Sequence, residues 1–286
     1  MRRENSRIGI IIGATGFIGM HLSKHLANNG TDLILVGRNQ QKLSQLKTEI
    51  LKTSAINVET IELDSNDIDL DKFKLELNKY PGKICFCINT IGMQLPLGDF
   101  INTNFDEWYE NIETNLKLNA RILHLFATYF VKNESGSIII FSGGGASHLR
   151  SQFSAYATAK TALVRLVEVV AEEVLPFGVQ VNAVAPGVMP SKMQLEILDN
   201  QSFLSNVEIL NAKKSLSNLT YEPKKVIELV YFLISEKSKG ITGKLISAEW
   251  DNWKIWPEYL DEIADSDLYT LRRVTGKDRN FILGDI

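Results

Sequence analysis

Tyr156 and Lys160 stand four positions apart, one helical turn on the same face, so a phenol and an ammonium can converge on one point. A free tyrosine titrates near ~10 and carries protons poorly at neutral pH. A lysine cation beside it favours the phenolate and brings the group into useful range. Ser142 follows the apolar run 137–141, and its hydroxyl can hold a substrate oxygen against the phenol. These are the parts needed to move a proton on or off a carbonyl or alcohol oxygen. A Tyr-x-x-x-Lys pair by itself more often marks a solvated helix face, so the remaining chain has to supply a cofactor site in the right place.

The elements that would carry these residues are legible around them. Residues 137–175 read as a buried strand, a Gly-rich loop carrying Ser142, and a long amphipathic helix. Leu163, Leu166, Val167, Val170 and Val174 recur at helical spacing, and Pro176 and Gly178 stop the helix. Upstream, Ile8–Ile12 is a short continuous apolar run, as expected of a strand buried on both faces of a parallel sheet. It leads into Gly13-Ala14-Thr15-Gly16-Phe17-Ile18-Gly19 and a helix over 18–28. Strand, glycine turn and helix start in that order form a phosphate cradle, because the backbone can approach a pyrophosphate whose charge the helix N-terminus favours.

Residues 33–37 form the next strand, ending in Gly37-Arg38-Asn39. A dinucleotide with a free ribose 2′-hydroxyl usually meets an acid there. Arg38 stands there instead and can pair with a 2′-phosphate, which favours NADP, with NAD as second choice. Arg38 as a solvated residue opening the helix 40–51 is the bland reading. A strand over 58–63 is followed by Asp64, which either accepts from an adenine amino group or caps the helix 67–79. A strand over 84–88 ends in Asn89-Thr90-Ile91-Gly92, placed to line the cofactor. One long helical region is expected over 104–132, with Asn115, a mediocre interior helix residue, in its middle. After the strand 179–184 come Pro186-Gly187-Val188, and then a polar, irregular region 191–221 of the kind a substrate loop has. A helix over 223–235 and a strand over 243–248 complete one doubly wound α/β domain, a Rossmann-like parallel sheet of about seven strands flanked by helices.

Composition narrows the class. The 286 residues are 44% hydrophobic and 23% charged, ordinary for a globular protein. A net charge of −3 with a pI near 5.9 gives no electrostatic case for nucleic acid. No apolar run has the length of a membrane span, and the start MRRENSR runs into the glycine motif without a signal-peptide core, which implies a cytoplasmic protein. Cys85 and Cys87, two apart on an apolar strand, are expected to point the same way as buried thiols, and with His21, His25, His124 and His148 they make no convincing metal site.

Taken together, the glycine motif, Asn89-Thr90-Ile91-Gly92, Asn115, Ser142, Tyr156-x-x-x-Lys160 and Pro186-Gly187 resemble the short-chain dehydrogenase/reductase superfamily in order and spacing, over about residues 8 to 248. The resemblance implies an NAD(P)-dependent enzyme passing hydride between nicotinamide and a carbonyl or alcohol carbon. Tyr156 would be the proton donor or acceptor and Ser142 the partner of the substrate oxygen. Lys160 would lower the tyrosine and hold the nicotinamide ribose, and Asn115 would support a water leading from Lys160 to solvent. It also implies a homodimer or homotetramer through the helices at about 104–132 and 152–175. Three departures stand out. Phe17 occupies a position where the shorter reductases have glycine, giving the Gly-x-x-Gly-x-x-Gly spacing of the sugar-nucleotide branch. Thr90 and Ile91 replace smaller residues. Ser191 replaces a threonine and keeps a hydroxyl able to meet the nicotinamide carboxamide.

Residues 249–286 extend past the usual end of that fold. Trp250, Trp253 and Trp256 recur at spacing three, either packing this tail on the body or a neighbouring subunit or stacking over the substrate cleft, with Arg272 and Arg273 then facing an anionic group. The substrate expectation is a carbohydrate or nucleotide-sugar derivative, or equally a 3-oxoacyl thioester. The alternatives are a sugar-nucleotide epimerase or dehydratase, and a dinucleotide sensor without catalysis.

Overall fold

Short β-rich apolar runs separated by amphipathic helices leave little choice of architecture. The computed structural model describes residues 7–63, 70–80, 84–218 and 220–281. Strands β1 (Ile8–Ile12), β2 (Asp32–Gly37), β3 (Val58–Glu62), β4 (Ile84–Asn89), β5 (Gly136–Phe141), β6 (Val179–Ala185) and β7 (Leu245–Ser247) lie within a residue or two of the expected runs. They form a seven-stranded sheet in the order β3-β2-β1-β4-β5-β6-β7, and every neighbouring pair is parallel.

Helices cover both faces, as a parallel sheet requires. One layer holds α3 (Leu70–Leu77), α5 (Asn119–Lys132) and α6 (Ser154–Val174), packed through Phe73, Phe126, Phe130, Leu163 and Val167. The other holds α1 (Phe17–Asn28), α2 (Gln40–Thr53) and α9 (Lys224–Leu233), packed through Leu22, Leu43, Ile50, Val226 and Val230. Within β1 the period of two is plain: Ile10 and Ile12 face the first layer and Ile11 the second.

The expected helical region 104–132 is helical throughout, as α4 (Phe105–Ile112), a π-helical segment (Glu113–Leu118) and then α5. Two expectations need correction. The irregular region 191–221 contains α7 (Lys192–Asp199) and α8 (Asn206–Leu216). Few of their side chains are buried (Gln194 and Ile197, then Ala212), so neither helix shows a broad apolar stripe in sequence. Cys85 and Cys87 do not point the same way. A register shift between Ile8 and Gly9 on β1 leaves Cys85 against the α1/α2/α9 layer and Cys87 buried in the other. Among the described residues no helix is long and apolar enough to cross a membrane.

The tail runs over the outer, β7 edge of the sheet. Trp253 and Trp256 are buried in the α9 layer, with Trp253 stacked on Phe232 at 5.7 Å and Trp256 tilted against Tyr269 at 4.4 Å. After α10 (Leu260–Ala264) the chain meets β7, where Leu245 N donates to Tyr269 O at 2.7 Å. It then reaches α6, where Leu271 N donates to Glu168 Oε1 at 2.6 Å. Arg272 is committed there, to Asp267 at 3.2 Å and to Glu168 at 3.9 Å. Arg273 is exposed, and Trp250 is 88% exposed.

Candidate active site

In an all-parallel sheet the strand ends share one edge, so the residues that follow the strands are gathered by topology alone. The order places β1 beside both β2 and β4, and the connections after β1 and β4 leave in opposite directions, opening a crevice. Gly13 opens the turn at φ +80°, with its N–H and that of Ala14 bonded to Val36 O at 2.9 and 3.0 Å. A Cβ on Gly19 would lie 2.3 Å from Gly13 O, so the helix sits closer to the turn than any side chain permits. Gly16, exposed, precedes the first residue of α1, and its side has no acid in the first turn to repel an anion. Thr15 lies against Gly37, where a Cβ would come 3.5 Å from Thr15 Oγ1. This cradle fits a dinucleotide pyrophosphate.

The departures from the family pattern acquire physical roles. Phe17 begins α1 and packs on His21 (4.8 Å) and Tyr221 (6.2 Å), next to the partly buried Ile18. Thr90 Oγ1 donates towards Ile12 O at 2.9 Å and Gly13 O at 3.2 Å, so the larger residue braces the glycine turn. Ser191 precedes α7 as its cap residue. Arg38 is exposed at the end of β2. Asp64 lies outside the described residues. Pro186 is buried, while Gly187 (φ +83°) and Val188 stand exposed at the end of β6. Asn89 is fully buried and holds the backbone: it donates to Asn119 Oδ1 at 2.8 Å and accepts from Ile91 N at 3.1 Å.

β5 and α6 bring the three chemical side chains together. Ser142, 4% exposed, has a buried Oγ without a hydrogen-bond partner among the described residues. Such an orphan marks a functional atom more often than an error of folding. The Tyr156 hydroxyl packs against the residue after it, since a Cβ on Gly143 would stand 2.3 Å away. Lys160 Nζ donates to Phe141 O at 2.8 Å and reaches Ile91 O at 3.5 Å. Gly92 separates Lys160 from Asn115: a Cβ there would lie 3.4 Å from Lys160 Nζ and 3.3 Å from Asn115 Oδ1.

Asn115 lies in the π-helical segment and is fully buried. It donates to Met93 O at 2.7 Å and accepts from Met93 N at 3.2 Å. Two further asparagines went unnoticed in the sequence. Asn111 donates to Leu95 O at 2.6 Å, and Asn119 accepts from Asn89, so 111, 115 and 119 stitch the segment after β4 to one helical face. Their spacing of four was the available signal. Also missed were Arg150 and Glu208, paired at 2.7 Å beside the site, and Met193 of α7, which closes over Gly92.

The electrostatics differ from the sequence expectation. Burial pushes the Tyr156 phenol up, offset in part by the Arg150 guanidinium. Burial pushes Lys160 down to about 7. Its Nζ lies 5.9 Å from the Tyr156 ring centroid. Desolvation thus disfavours the charge on both groups, and burial rather than Lys160 leads the shift of the phenol.

Comparison with known proteins agrees with this geometry. A family model described as enoyl-(acyl carrier protein) reductase matches residues 13–249. The chain is 25% identical over 247 residues to dehydrogenase/reductase SDR family member 4 of Caenorhabditis elegans, covering 86% of this chain and 94% of that one. It is 24% identical over 242 residues to 2,3-dihydro-2,3-dihydroxybenzoate dehydrogenase of Bacillus subtilis, covering 82% and 92%. Among solved structures, NAD+-bound xylitol dehydrogenase superposes with a TM-score of 0.76 at 19% identity, covering 86% of this chain and 98% of that one. An actinorhodin polyketide ketoreductase with NADPH gives 0.73 at 19% identity, covering 86% and 97%. With a parallel Rossmann-type sheet, a glycine cradle and a Ser-Tyr-Lys cluster at its carboxyl edge, the chain belongs to the short-chain dehydrogenase/reductase superfamily of NAD(P)-dependent oxidoreductases.

Proposed function

We propose that the protein is an NADP-preferring oxidoreductase that interconverts a ketone and a secondary alcohol, with Tyr156 as general acid and base. The observation that carries this reading is the buried, unpartnered Ser142 Oγ next to the Tyr156 phenol, at the sheet edge where the glycine cradle opens. A bound nicotinamide supplies the hydride. Gly13, Thr15, Gly16, Phe17, Ile18 and Gly19 would hold the pyrophosphate side, and Arg38 the 2′-phosphate. Thr90, Gly92, Pro186, Gly187, Val188, Ser191 and Lys160 would line the nicotinamide half. Ser142 donates to the substrate oxygen, and Tyr156 delivers a proton to the same atom. Burial keeps the phenol protonated at neutral pH, which suits it to act as the acid in ketone reduction. Asn115, by fixing both polar groups of Met93, keeps a polar space beside Lys160 through which a proton can be resupplied.

A groove of about 1030 Å³ lies next to Met93, lined also by Asp99, Glu107, Glu110 and Gln152, with no lysine or arginine among the described residues of its lining. This favours a carbohydrate-like hydroxylated substrate over a nucleotide sugar or an acyl thioester carrying phosphate, because like charge repels the latter two. Exposed Phe105 and Tyr109 on α4 support a homo-oligomer formed through that helix.

The test is binding of NADPH and NADH by tryptophan quenching, in wild type and Arg38→Ala. Tighter NADPH binding, weakened about tenfold by Arg38→Ala, is expected from loss of a charge-assisted phosphate contact. Failure of both dinucleotides to bind overturns the reading.

A further inference from the structure

We propose that Arg150 is a positioning residue, its pair with Glu208 being the latch that holds the α7–α8 cap closed over the Tyr156 and Lys160 end of the sheet. This rests on the oxidoreductase reading for its purpose, though not for its geometry.

The latch joins parts of the chain distant in sequence. Arg150 Nε donates to Glu208 Oε1 at 2.8 Å and Nη2 to Oε2 at 2.7 Å, a bidentate arrangement that fixes orientation as well as distance. Both side chains are largely buried, 25% and 21% exposed. The guanidinium carbon also lies 3.5 Å from the ring centroid of Phe153, so the cation is sandwiched between a carboxylate and an aromatic face. Phe153 is fully buried and is the residue from which α6, the helix of Tyr156 and Lys160, departs.

Between them, Gln152 takes φ +68°, a left-handed conformation that a non-glycine residue keeps only where its surroundings hold it. Its carbonyl accepts from Gly98 N at 2.9 Å, and its side-chain oxygen from Ser205 N at 3.2 Å. Residues 150–153 thus touch the start of the catalytic helix, the segment after β4 and the cap at once.

The cap reaches the reacting groups through α7. Met193 Cε would lie 3.6 Å from a Cβ on Gly92, the residue next to Lys160 Nζ, and the Gln94 amide donates to Met193 O. What binds this cap to the body is slight. Among the described residues its apolar cluster has only Phe153, Ile197, Leu204 and Ala212 as buried members, with Leu97, Leu198 and Ile209 packed around them. A segment with so little apolar burial opens at low cost, so the ion pair contributes a large share of its closure.

Hydrogen–deuterium exchange tests this in wild type, Glu208→Gln and the charge-swapped double variant Arg150→Glu with Glu208→Arg. Glu208→Gln keeps side-chain shape and removes the pair. It should speed amide exchange across 192–216 about tenfold, leave β1, β4, β5 and β6 unchanged, and speed nitration of Tyr156 by tetranitromethane; the swap, which regains the ion pair but loses the cation on Phe153, should recover both in part. Unchanged exchange in 192–216, or equal acceleration of the sheet, overturns the latch. Faster exchange with unchanged Tyr156 nitration overturns the positioning role, leaving Arg150 merely structural. NADPH titration of the wild type is read separately: no binding sinks the oxidoreductase reading and leaves the exchange result to judge the latch.

Discussion

Two lysines in this fold are equally hidden from solvent, and only one of them belongs with the chemistry. Lys160 is 2% exposed and Lys244 3% exposed. Each donates to backbone carbonyl oxygen, Lys160 to Phe141 at 2.8 Å and Lys244 to Ser266 at 2.7 Å. Burial lowers both, Lys160 the more because it is packed far deeper in the fold. The charges around them differ as well. Lys244 has Arg272 pushing it further down, with Asp267 and Glu168 pushing back, and its bond fastens the tail to the sheet. Lys160 falls to about 7 through desolvation, with Ser142 Oγ, unpartnered among the described residues, just after β5, whose last residue accepts from Lys160. Burial of a cation is thus a poor sign of function by itself. A compensated cation holds structure together, while an uncompensated one beside an orphaned hydroxyl is held at a cost that a structural role does not explain.

Substitutions at the two edges should separate accordingly. The largest effect is expected at the carboxyl edge. Tyr156→Phe should lower kcat for ketone-dependent NADPH oxidation by roughly 10²–10⁴, the range for losing a general acid, while fluorescence titration shows unchanged NADPH binding. Retained turnover in that variant would break the contrast outright, since Lys160 would then serve no proton chemistry.

Lys160 sharpens the contrast through pH. An unfolded lysine keeps its proton to about ~10.4, whereas folded Lys160 releases it at about 7. Between those values the unfolded chain carries the extra proton, so stability rises with pH across that window, by at most roughly 1.4 kcal/mol per unit. Below about 7 both states are protonated, and this contribution to the slope vanishes. Urea midpoints at pH 7, 8 and 9 should climb in the wild type and climb less in Lys160→Met; parallel profiles would show that Lys160 is compensated after all.

The smallest effect belongs to the outer edge. Lys244→Met removes one charge-assisted bond and leaves Ser266 O unpaired, for a loss of about 1–3 kcal/mol. Thermal melting should fall by a few degrees while NADPH affinity and turnover stay at wild-type values. A matching loss of turnover would mean that the tail edge and the catalytic edge are coupled.

Much of the sheet was legible because buried parallel strands are short apolar runs, plain in β1, β2, β4 and β5, whereas β3 (Val58–Glu62) and β6 (Val179–Ala185) are interrupted by polar residues. Ser142, Tyr156 and Lys160 were legible because they are bound to strand-end and helical spacing. The cap was not, since α7 and α8 bury narrow faces against a small cluster whose other half, Leu97 and Phe153, is remote in sequence. Asn115 was singled out in sequence, but the π-helical segment that carries it was not legible, because such a step depends on what the helix packs against. Pairing of Arg150 with Glu208, 58 residues away, leaves no trace in local pattern.

The amino-acid sequence by itself determined the strands, the cradle and the residue types that meet at its edge, because periodicity and backbone conformation are local properties. Tertiary structure decided the ionisation of those residues and the fate of the tail. It put Tyr156 above and Lys160 below their ordinary ranges, buried Trp253 and Trp256 beside α9, and left Trp250 in solvent. Desolvation and packing depend on neighbours from every part of the chain, and only folding brings those neighbours together.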